Sequence, residues 1–312
     1  MDFVPLGQSE TRISEIGIGT WQAGDDTWGP DVNDRDCVAA IVRASELGMS
    51  LVDTAENYGN GHSEEVLGEA VRRAGRDNIF IATKVSDHHL RPVDVEKACR
   101  ASLSRLHVQF IDLYQIHWTD PYDQVPLRQT MKAMEKLQRE GKIGQIGVSN
   151  FAVRDLEEAR SALSRSDIVS DQVQYNLLHR NIEAEVVPYC RREGITILAY
   201  SPLARGALTG KYRETKRPGD AVRTKDVFFR AENLKRIAPL LAQLGRIAKA
   251  HNKTPGQVAL AWIRSHPGII PIPGAKRPSQ SEENAAASGW SLTGRERKDL
   301  DSRSRSLGLN TF

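Results

Sequence analysis

The sequence predicts an α/β protein that folds as a closed (β/α)8 TIM barrel, a single domain over residues 1–312 with a β-hairpin at its N-terminus. Short apolar runs alternate with helical patterns along most of the chain, which is typical of a parallel sheet. Seven such runs precede a loose segment at 201–231 and one follows it, which makes eight strand–helix units. An open doubly wound sheet is the alternative, and the absence of a GxGxxG after the first run argues against it.

The predicted elements follow one another in a regular order. A hairpin formed by 3–6 and 13–16 comes first, and glycines at 48, 75, 141 and 194 stand where helices should end. The predicted strands are 16–19, 50–53, 79–84, 111–116, 143–148, 169–174, 195–199 and a last one within 268–274. The predicted helices are 34–47, 63–74, 92–106, 125–140, 152–164, 183–193, 232–251, 255–265 and 279–287. Segment 201–231 has no clear period, and loops of that length are usually functional.

Composition excludes several classes of protein. The net charge of +3 over 312 residues gives no argument for binding nucleic acid or membranes, and no apolar run reaches the ~18 residues that span a bilayer. The first residues do not have the pattern of a signal peptide. Cys37, Cys99 and Cys190 lie far apart with no Cys/His cluster, so we expect neither a metal site nor disulfides. These features predict a cytoplasmic protein.

Four side chains that can carry charge or exchange protons fall at neighbouring strand ends. Asp53 ends the second barrel strand, Tyr58 lies in the loop that follows it, Lys84 ends the third strand and His117 ends the fourth. Taken singly, a lysine or a histidine at a strand end is more often a structural residue. In a (β/α)8 barrel, however, all strands end at one rim, where chemistry is placed. The convergence of the four favours a catalytic interpretation.

The four residues together would make a site for proton transfer. Free tyrosine has a pKa near ~10, and a nearby ammonium lowers that value by favouring the phenolate. Lys84 would supply the ammonium, Asp53 would keep it charged, and Tyr58 would then act as general acid and base. His117 would hydrogen-bond a substrate oxygen. Because the sequence shows no serine or cysteine with an obvious base, a hydride donor is the reactant that fits a protonated carbonyl.

Six stretches carry a resemblance to a known family: D-T-A-E-N-Y-G at 53–59, S-E-E at 63–65, A-T-K at 82–84, Q-I-H-W at 115–118, G-V-S-N-F at 147–151 and P-I-P-G at 271–274. In this order, and over about residues 5–288, the chain resembles the aldo/keto reductase superfamily of the bacterial, NADPH-dependent type. The resemblance implies a (β/α)8 barrel that binds a nicotinamide cofactor without a Rossmann domain. It also implies that Tyr58 is the general acid/base, assisted by Lys84, Asp53 and His117.

The resemblance further implies which residues hold the cofactor. Ser149, Asn150 and Gln172 match residues that hold the carboxamide, and Tyr200 matches the aromatic residue that stacks on the nicotinamide ring. The other positions belong to the strand ends near the nicotinamide, to the diphosphate loop and to the adenosine end: Gly19, Thr20, Trp21 and Asp53; Ser201, Leu203 and Lys211; Gly274, Lys276, Arg277, Gln280, Glu283 and Asn284.

Two of these residues bear on the choice of cofactor. Lys276 and Arg277 stand beside a predicted helix N-terminus, and cations there make an anion site suited to the adenosine 2′-phosphate. We therefore expect NADPH or NADP rather than NADH. The alternative for both residues is a solvated helix entrance. Gln280 departs from the family pattern, since some members carry an arginine at this position.

The expected substrate is a small-molecule carbonyl compound. Trp21, Tyr58, His117 and Trp118 are predicted to contact it, and Trp28 either lines the pocket or packs at its rim. The C-terminal tail 302–312 is too short and polar to form a long substrate loop, so we expect an open, tolerant pocket. Neither the particular substrate nor the oligomeric state follows from the sequence.

The sequence therefore predicts an NADPH-dependent oxidoreductase that reduces aldehydes or ketones reversibly, with Tyr58 as the proton donor. Two alternatives stand beside it. Chains of this superfamily can serve as nucleotide-sensing accessory subunits of channels, although the few residues before the hairpin argue weakly against that role. A Schiff-base aldolase or a phosphate-binding isomerase would use Lys84 on the same barrel.

Overall fold

The computed structural model describes residues 1–24, 26–30 and 32–309 of the chain. An antiparallel hairpin comes first, as predicted, and consists of β1 (Phe3–Pro5) and β2 (Arg12–Ser14). Leu6 and Ile13 from this hairpin are fully buried in the apolar cluster that fills the barrel interior. The hairpin lies at the amino-terminal end of the barrel, because Gly7 N donates to the side chain of Thr196, the first residue of a barrel strand. The carboxyl-terminal end of the barrel is therefore open for a functional site.

Eight parallel strands form one sheet in sequence order, and its first and last members join, so the predicted (β/α)8 barrel is confirmed. The joint is made by Gly17 N and Gly19 N, which donate to Pro271 O and Pro273 O at 2.9 and 3.0 Å. The strands are β3 (Ile18–Gly19), β4 (Leu51–Asp53), β5 (Phe80–Val85), β6 (Ile111–Ile116), β7 (Ile143–Ser149), β8 (Ile168–Gln174), β9 (Thr196–Tyr200) and β10 (Ile269–Pro271).

All of the helices except the shortest pack their apolar faces on the outside of the barrel, in one large cluster with the outward side chains of the strands. They are α1 (Asp34–Glu46), α2 (His62–Ala74), α3 (Pro92–Arg105), α4 (Leu127–Arg139), α5 (Val153–Ala162), α6 (Val186–Glu193), α7 (Ala221–Thr224), α8 (Ala231–Ala250), α9 (Pro255–Arg264), α10 (Pro278–Ala285) and α11 (Gly294–Arg305). Within the described residues, no helix combines the length and apolar character needed to cross a bilayer.

Helix α11 is absent from the sequence-based prediction. Its only buried residues are Leu300 and Ser304, so the chain shows no apolar period there. The signal that the sequence did contain is a capping box, in which Thr293 and Glu296 satisfy each other's backbone N–H groups. The first residues of the tail predicted at 302–312 belong to this helix, and its last three residues, 310–312, lie outside the described residues.

The segment 201–231, predicted as a long functional loop, is an ordered excursion. It contains two 3-10 turns, Ala204–Thr209 and Val227–Phe229, and the short helix α7. Leu208, Phe228 and Phe229 are buried, and Tyr212 meets Phe229 edge to face with the ring centroids 5.2 Å apart. These contacts fix the segment against the barrel, where it contributes one wall of the cavity described below.

Candidate active site

A buried hydrogen-bond network lies at the carboxyl end of the barrel interior. Lys84 Nζ lies 2.6 Å from Asp53 Oδ1 and 2.7 Å from Thr54 O. Gln115 and Gln172 donate to the other carboxylate oxygen, Asp53 Oδ2, at 3.1 and 2.7 Å. Side chains alternate between the two faces of a strand, so β4, β5, β6 and β8 can each send one polar residue inward at the same level. Three donors therefore fix the carboxylate of Asp53.

Tyr58 begins a short turn above this network. Its hydroxyl lies 3.4 Å from Lys84 Nζ, and its ring centroid lies 4.9 Å from the same ammonium. Gly59, Asn60 and Gly61 follow with φ of 55°, 53° and 97°, in the left-handed region that favours glycine. This conformation turns the chain back into helix α2 while the phenol stays over Lys84.

Three hydroxyl groups fasten the Tyr58 loop to the first barrel strand. Ser63 Oγ lies 2.8 Å from Thr20 Oγ1 and 3.0 Å from Thr54 Oγ1, and all three side chains are buried. Helix α2 begins at His62, so Ser63 lies in its first turn, as expected, and its hydroxyl makes this link. The loop is thereby fixed relative to the strand end that carries Gly19 and Thr20.

His117 follows β6 and faces Tyr58, with the two ring centroids 5.6 Å apart. Burial, and to a lesser degree the charge on Lys84, lowers the pKa of His117 to about 3. The imidazole is therefore neutral at neutral pH. Its Nδ1 is buried and has no hydrogen-bond partner among the described residues. A neutral imidazole carries one donor, which suits it to orient a substrate oxygen without supplying the proton.

The acidity of Tyr58 corrects one expectation from the sequence, that Lys84 lowers the pKa of this tyrosine. Burial raises the pKa of Tyr58, the ammonium of Lys84 opposes the rise, and the net direction is upward. Burial works against the charge on Lys84, but Asp53 and Tyr58 outweigh it and raise the pKa of Lys84. The physical reason is that a buried phenolate loses its hydration, which one ammonium does not fully replace. Tyr58 is therefore a protonated donor beside a fixed cation.

A cavity of about 490 Å³ opens above these residues at the carboxyl rim. Asp53, Tyr58 and His117 line it, whereas Lys84 lies beneath the cavity floor and is fully buried. The structure also brings most of the predicted cofactor and substrate residues to its wall: Gly19, Thr20, Trp21, Trp118, Ser149, Asn150, Gln172, Tyr200, Ser201, Leu203, Lys211, Gly274, Lys276 and Gln280.

Three predicted residues do not line the cavity: Arg277, Glu283 and Asn284. Glu283 Oε1 accepts a hydrogen bond from Thr254 Oγ1 at 2.9 Å. Asn284 is buried, and its Nδ2 donates to Gly274 O at 3.4 Å. Arg277 is the residue that precedes helix α10. Their assignment to the adenosine end stays a prediction.

The residues predicted to hold the carboxamide lie together. Tyr200 Oη donates to Asn150 Oδ1 at 3.0 Å, and Asn150 Nδ2 lies 3.0 Å from Ser149 Oγ. The amide nitrogen of Gln172 is directed at Asp53, so only its oxygen is left for a carboxamide. This group of side chains therefore offers both donors and acceptors within one side of the cavity.

Aromatic rings line the cavity near Tyr58. Trp21 meets Trp28 edge to face with the centroids 4.9 Å apart, and Trp21 lies 6.4 Å from the Tyr58 ring. Trp118 lines the mouth and is 46 % exposed. Trp28, for which the sequence left two roles open, lines the cavity as well as packing against Trp21.

The loop that begins at Ser201 contains a run of residues in the left-handed region. Ala204, Arg205 and Gly206 have φ of 48°, 55° and 100°. The N–H groups of Ala204 and Gly206 donate within the loop, to Ser201 O and Leu203 O at 2.8 and 2.9 Å, so the loop holds its own shape and offers an anion its cationic side chains. Arg205 and Lys211 line the same side of the cavity. The loop and these two cations fit the diphosphate of a nicotinamide dinucleotide.

Lys276 reaches across the cavity to the loop after β3. Its Nζ lies 2.7 Å from Trp28 O and 5.5 Å from the Trp28 ring centroid. Arg223, from α7, lies 5.0 Å from the same ring. Trp28 therefore lies between two cations from distant parts of the chain, and positive charge is concentrated at this end of the cavity.

Some cavity residues and their partners were not predicted from the sequence. Gln115 had a usable signal, because it stands two residues before His117, and side chains two residues apart along an extended chain share a face. Gln22 donates to main-chain oxygens on both sides of the barrel joint at 2.9 Å. Arg205 and Arg223 come from the segment 201–231, which has no periodic pattern from which their position could be inferred.

The barrel is the fold of the aldo/keto reductases. The model of the aldo/keto reductase family matches residues 15–304, and the chain belongs to that family of oxidoreductases. An uncharacterized oxidoreductase of Mycobacterium tuberculosis is 42% identical over 300 residues, which cover 95% of this chain and 91% of the relative. The NADH-specific methylglyoxal reductase of Escherichia coli is 33% identical over 314 residues, which cover 94% and 95%.

A solved structure shows the same architecture. The aldo/keto reductase from Klebsiella pneumoniae, crystallised in complex with NADP and acetate, superposes with a TM-score of 0.75 at 32% sequence identity. The superposition covers 96% of this chain and 94% of that one.

Proposed function

We propose that this protein is an NADPH-dependent oxidoreductase that reduces the carbonyl group of aldehydes or ketones to an alcohol, and that it also runs the reverse reaction. The observation that carries the proposal is the position of Tyr58 Oη, 3.4 Å from Lys84 Nζ, which in turn lies 2.6 Å from Asp53 Oδ1. A protonated phenol beside a fixed cation is a donor whose anion is stabilised as it forms. The NADP bound by the Klebsiella relative supports the choice of cofactor.

Each residue of the site has a distinct task in this reaction. Tyr58 donates its proton to the carbonyl oxygen, and Lys84 stabilises the resulting phenolate. His117, which is neutral, hydrogen-bonds the same oxygen and orients the carbonyl group. Asp53 keeps Lys84 charged and in place. When bound, NADPH supplies the hydride that the carbonyl carbon takes up. In the reverse direction, the phenolate of Tyr58 accepts the proton of the alcohol.

The cofactor would lie along the cavity from the barrel interior to helix α10. Ser149, Asn150 and Gln172 would hold the carboxamide, and Tyr200 would stack on the nicotinamide ring. The loop from Ser201 would hold the diphosphate. Positive charge at the far end, from the residues that precede α10, favours NADPH over NADH. One relative, the Escherichia coli methylglyoxal reductase, is NADH-specific, so the test below follows NADPH and NADH separately.

The substrate would be a small carbonyl compound held between the tryptophans. Trp21, Trp28 and Trp118 offer aromatic surface on one side of Tyr58, which suits apolar or ring-bearing aldehydes and ketones. We propose the whole chain as one catalytic domain, since residues from the first barrel strand to α10 meet in the same cavity.

The aldolase alternative is disfavoured by the environment of Lys84. A Schiff base requires a neutral amine that a carbonyl compound can reach. Lys84 is fully buried, paired with Asp53, and its pKa is raised by Asp53 and Tyr58 against the effect of burial. An accessory subunit that only senses nucleotide would not need the complete arrangement of Tyr58, Lys84 and Asp53, so this arrangement favours the enzyme.

The decisive experiment is a screen of aldehydes, ketones and sugars in which NADPH and NADH absorbance are followed separately. Tyr58→Phe should lower kcat by ~10²-fold or more while the Kd for NADPH, read from tryptophan fluorescence, stays close to that of the wild type. Tyr122→Phe is the matched control, because Tyr122 is 76% exposed and does not line the cavity. Full turnover in Tyr58→Phe would contradict the mechanism, and NADPH binding without turnover of any compound would favour the accessory role.

A further inference from the structure

A second buried carboxylate lies beside the Tyr58 turn but outside the cavity. Glu64, in the first turn of α2, is fully buried. Thr83 Oγ1 donates to Glu64 Oε1 at 2.6 Å, and Arg105 Nε and Nη2 lie 2.7 and 2.6 Å from Glu64 Oε2. We call Glu64, Thr83 and Arg105 the Glu64 brace. A buried carboxylate is costly unless it is paired and hydrogen-bonded, so the brace holds its three side chains in one arrangement.

The brace joins the two parts of the chain that carry Tyr58 and Lys84. Thr83 directly precedes Lys84 in β5, and because side chains alternate along a strand, Thr83 faces the helices while Lys84 faces the barrel interior. Glu64 comes shortly after the turn Tyr58–Gly61, in the helix that this turn starts. The separation of Tyr58 from Lys84 is therefore controlled a second time, from outside the barrel.

Arg105 lies directly against the Tyr58 turn. A Cβ added to Gly61, whose φ is +97°, would lie 2.7 Å from Arg105 Nε. A Cβ added to Gly68 would lie 2.7 Å from Arg105 O, so α2 approaches the end of α3 closely enough for the guanidinium to reach the turn. The guanidinium of Arg105 therefore lies against the last residue of the Tyr58 turn.

We propose that Glu64 and Arg105 are positioning residues for proton transfer by Tyr58: with Thr83 they hold the Tyr58 turn at hydrogen-bonding distance from Lys84. This inference rests on the proposed function, because it concerns the same tyrosine. No member of the brace lines the cavity, so the brace acts on the rate and on the ionisation of Tyr58, not on the binding of substrate or cofactor. A misplacement of ~1 Å in a reacting group costs ~10²-fold in rate.

The kinetic test compares Glu64→Gln with a matched control, Glu15→Gln. Glu15 pairs with Arg264 at 2.5 Å, and both of these side chains are only 12% exposed, but they lie beside the hairpin and not at the rim. Glu64→Gln should lower kcat by ~10-fold or more, with KM and the Kd for NADPH within ~2-fold of the wild type.

The pH profile distinguishes positioning from a loss of stability. In Glu64→Gln the phenol no longer faces the ammonium of Lys84 at the native distance, so the alkaline limb of the reduction rate should move to higher pH. Glu15→Gln should leave that limb in place, whatever its effect on the melting temperature. An unmoved limb in Glu64→Gln, or an equal shift in Glu15→Gln, would overturn the proposal.

A second variant guards against a folding defect. Arg105 is 24% exposed, so its guanidinium can turn to water when the carboxylate is removed. In Glu64→Gln/Arg105→Gln no charge is left unpaired, and the loss of kcat should be no greater than in the worse single variant, because the two residues act as a unit. A loss equal to the product of the two single effects would refute their joint action.

A readout without turnover separates this inference from the proposed function. In protein that contains fluorotyrosine, the resonance lost in Tyr58→Phe identifies Tyr58 by fluorine NMR. Its alkaline titration should move to higher pH in Glu64→Gln and stay in place in Glu15→Gln. If the wild type reduces no carbonyl compound but the titration moves, the function fails and the positioning role stands. If reduction occurs and the titration does not move, the positioning role fails and the function stands.

Discussion

Asp53 and Lys84 form a buried ion pair beneath the cavity: Asp53 Oδ1 lies 2.6 Å from Lys84 Nζ, and the two side chains are 3% and 0% exposed. Removing one partner of such a pair leaves an uncompensated charge in a medium that solvates it poorly. We expect Asp53→Asn to destabilise the fold by about 3 kcal/mol or more.

Urea unfolding of Asp53→Asn measures that loss. The control is Glu96→Gln, which removes a surface pair with Lys136 and should cost much less because water screens it. A loss in Asp53→Asn as small as in this control would mean that Lys84 is neutral in the folded protein. The kcat of Asp53→Asn should fall as well, because Lys84 loses the carboxylate that holds it in place and favours its charged form.

The rise in the pKa of Tyr58 predicts a pH profile. Because the phenol stays protonated through neutral pH, carbonyl reduction should be level there and decline only at alkaline pH, while alcohol oxidation should increase as the phenolate forms. Lys84→Met removes the group that opposes the rise, so the alkaline limb of reduction should move upward in pH and kcat should fall. Initial rates in both directions over a pH series measure this, and a downward shift of the limb would contradict the role of Lys84.

His117 predicts a loss of stability in acid. The pKa of His117 is about 3 in the folded protein, against an ordinary value of 6.5. Below pH 6.5 the unfolded chain therefore binds a proton at this residue, whereas the folded chain does so only near pH 3. The contribution is complete above the unfolded pKa and declines as the pH falls between the two values, by up to ~1.4 kcal/mol per pH unit. In His117→Gln the free energy of unfolding should depend less steeply on pH in this window. His88→Gln, at an exposed position, should keep the wild-type slope.

The position of Lys276 allows a test of the preference for NADPH over NADH. In Lys276→Met the Kd for NADPH should rise ~10-fold, the effect of losing about 1.4 kcal/mol, while the Kd for NADH should change little because it lacks the 2′-phosphate. Lys253→Met is the matched control, since Lys253 contacts the other end of α10 through Ala286 O. Equal weakening of both cofactors in Lys276→Met would instead assign Lys276 to holding Trp28, to which its ammonium is bonded.

Most of the strands and helices of the barrel could be predicted from the sequence. The strands are short apolar runs, and glycines mark where several of the preceding helices end. The positions of Asp53, Lys84 and His117 at the rim follow from that pattern alone, since each lies within one residue of a strand end. Helix α11 escaped prediction because it buries only two side chains and so has almost no apolar period. The internal structure of segment 201–231 escaped prediction for a related reason: its buried residues, such as Leu208, Phe228 and Phe229, follow no regular spacing along the chain.

The sequence by itself determined the order of strands and helices and the set of polar residues that meet at one rim, because strand and helix periods are local properties of the chain. Only the tertiary structure decided how those residues share their bonds. Gln115 and Gln172 hold Asp53, Lys276 is bonded to Trp28 O, and Glu64 is paired with Arg105. It also decided that the pKa of Tyr58 rises, because the balance between burial and a neighbouring charge depends on residues far apart in the chain.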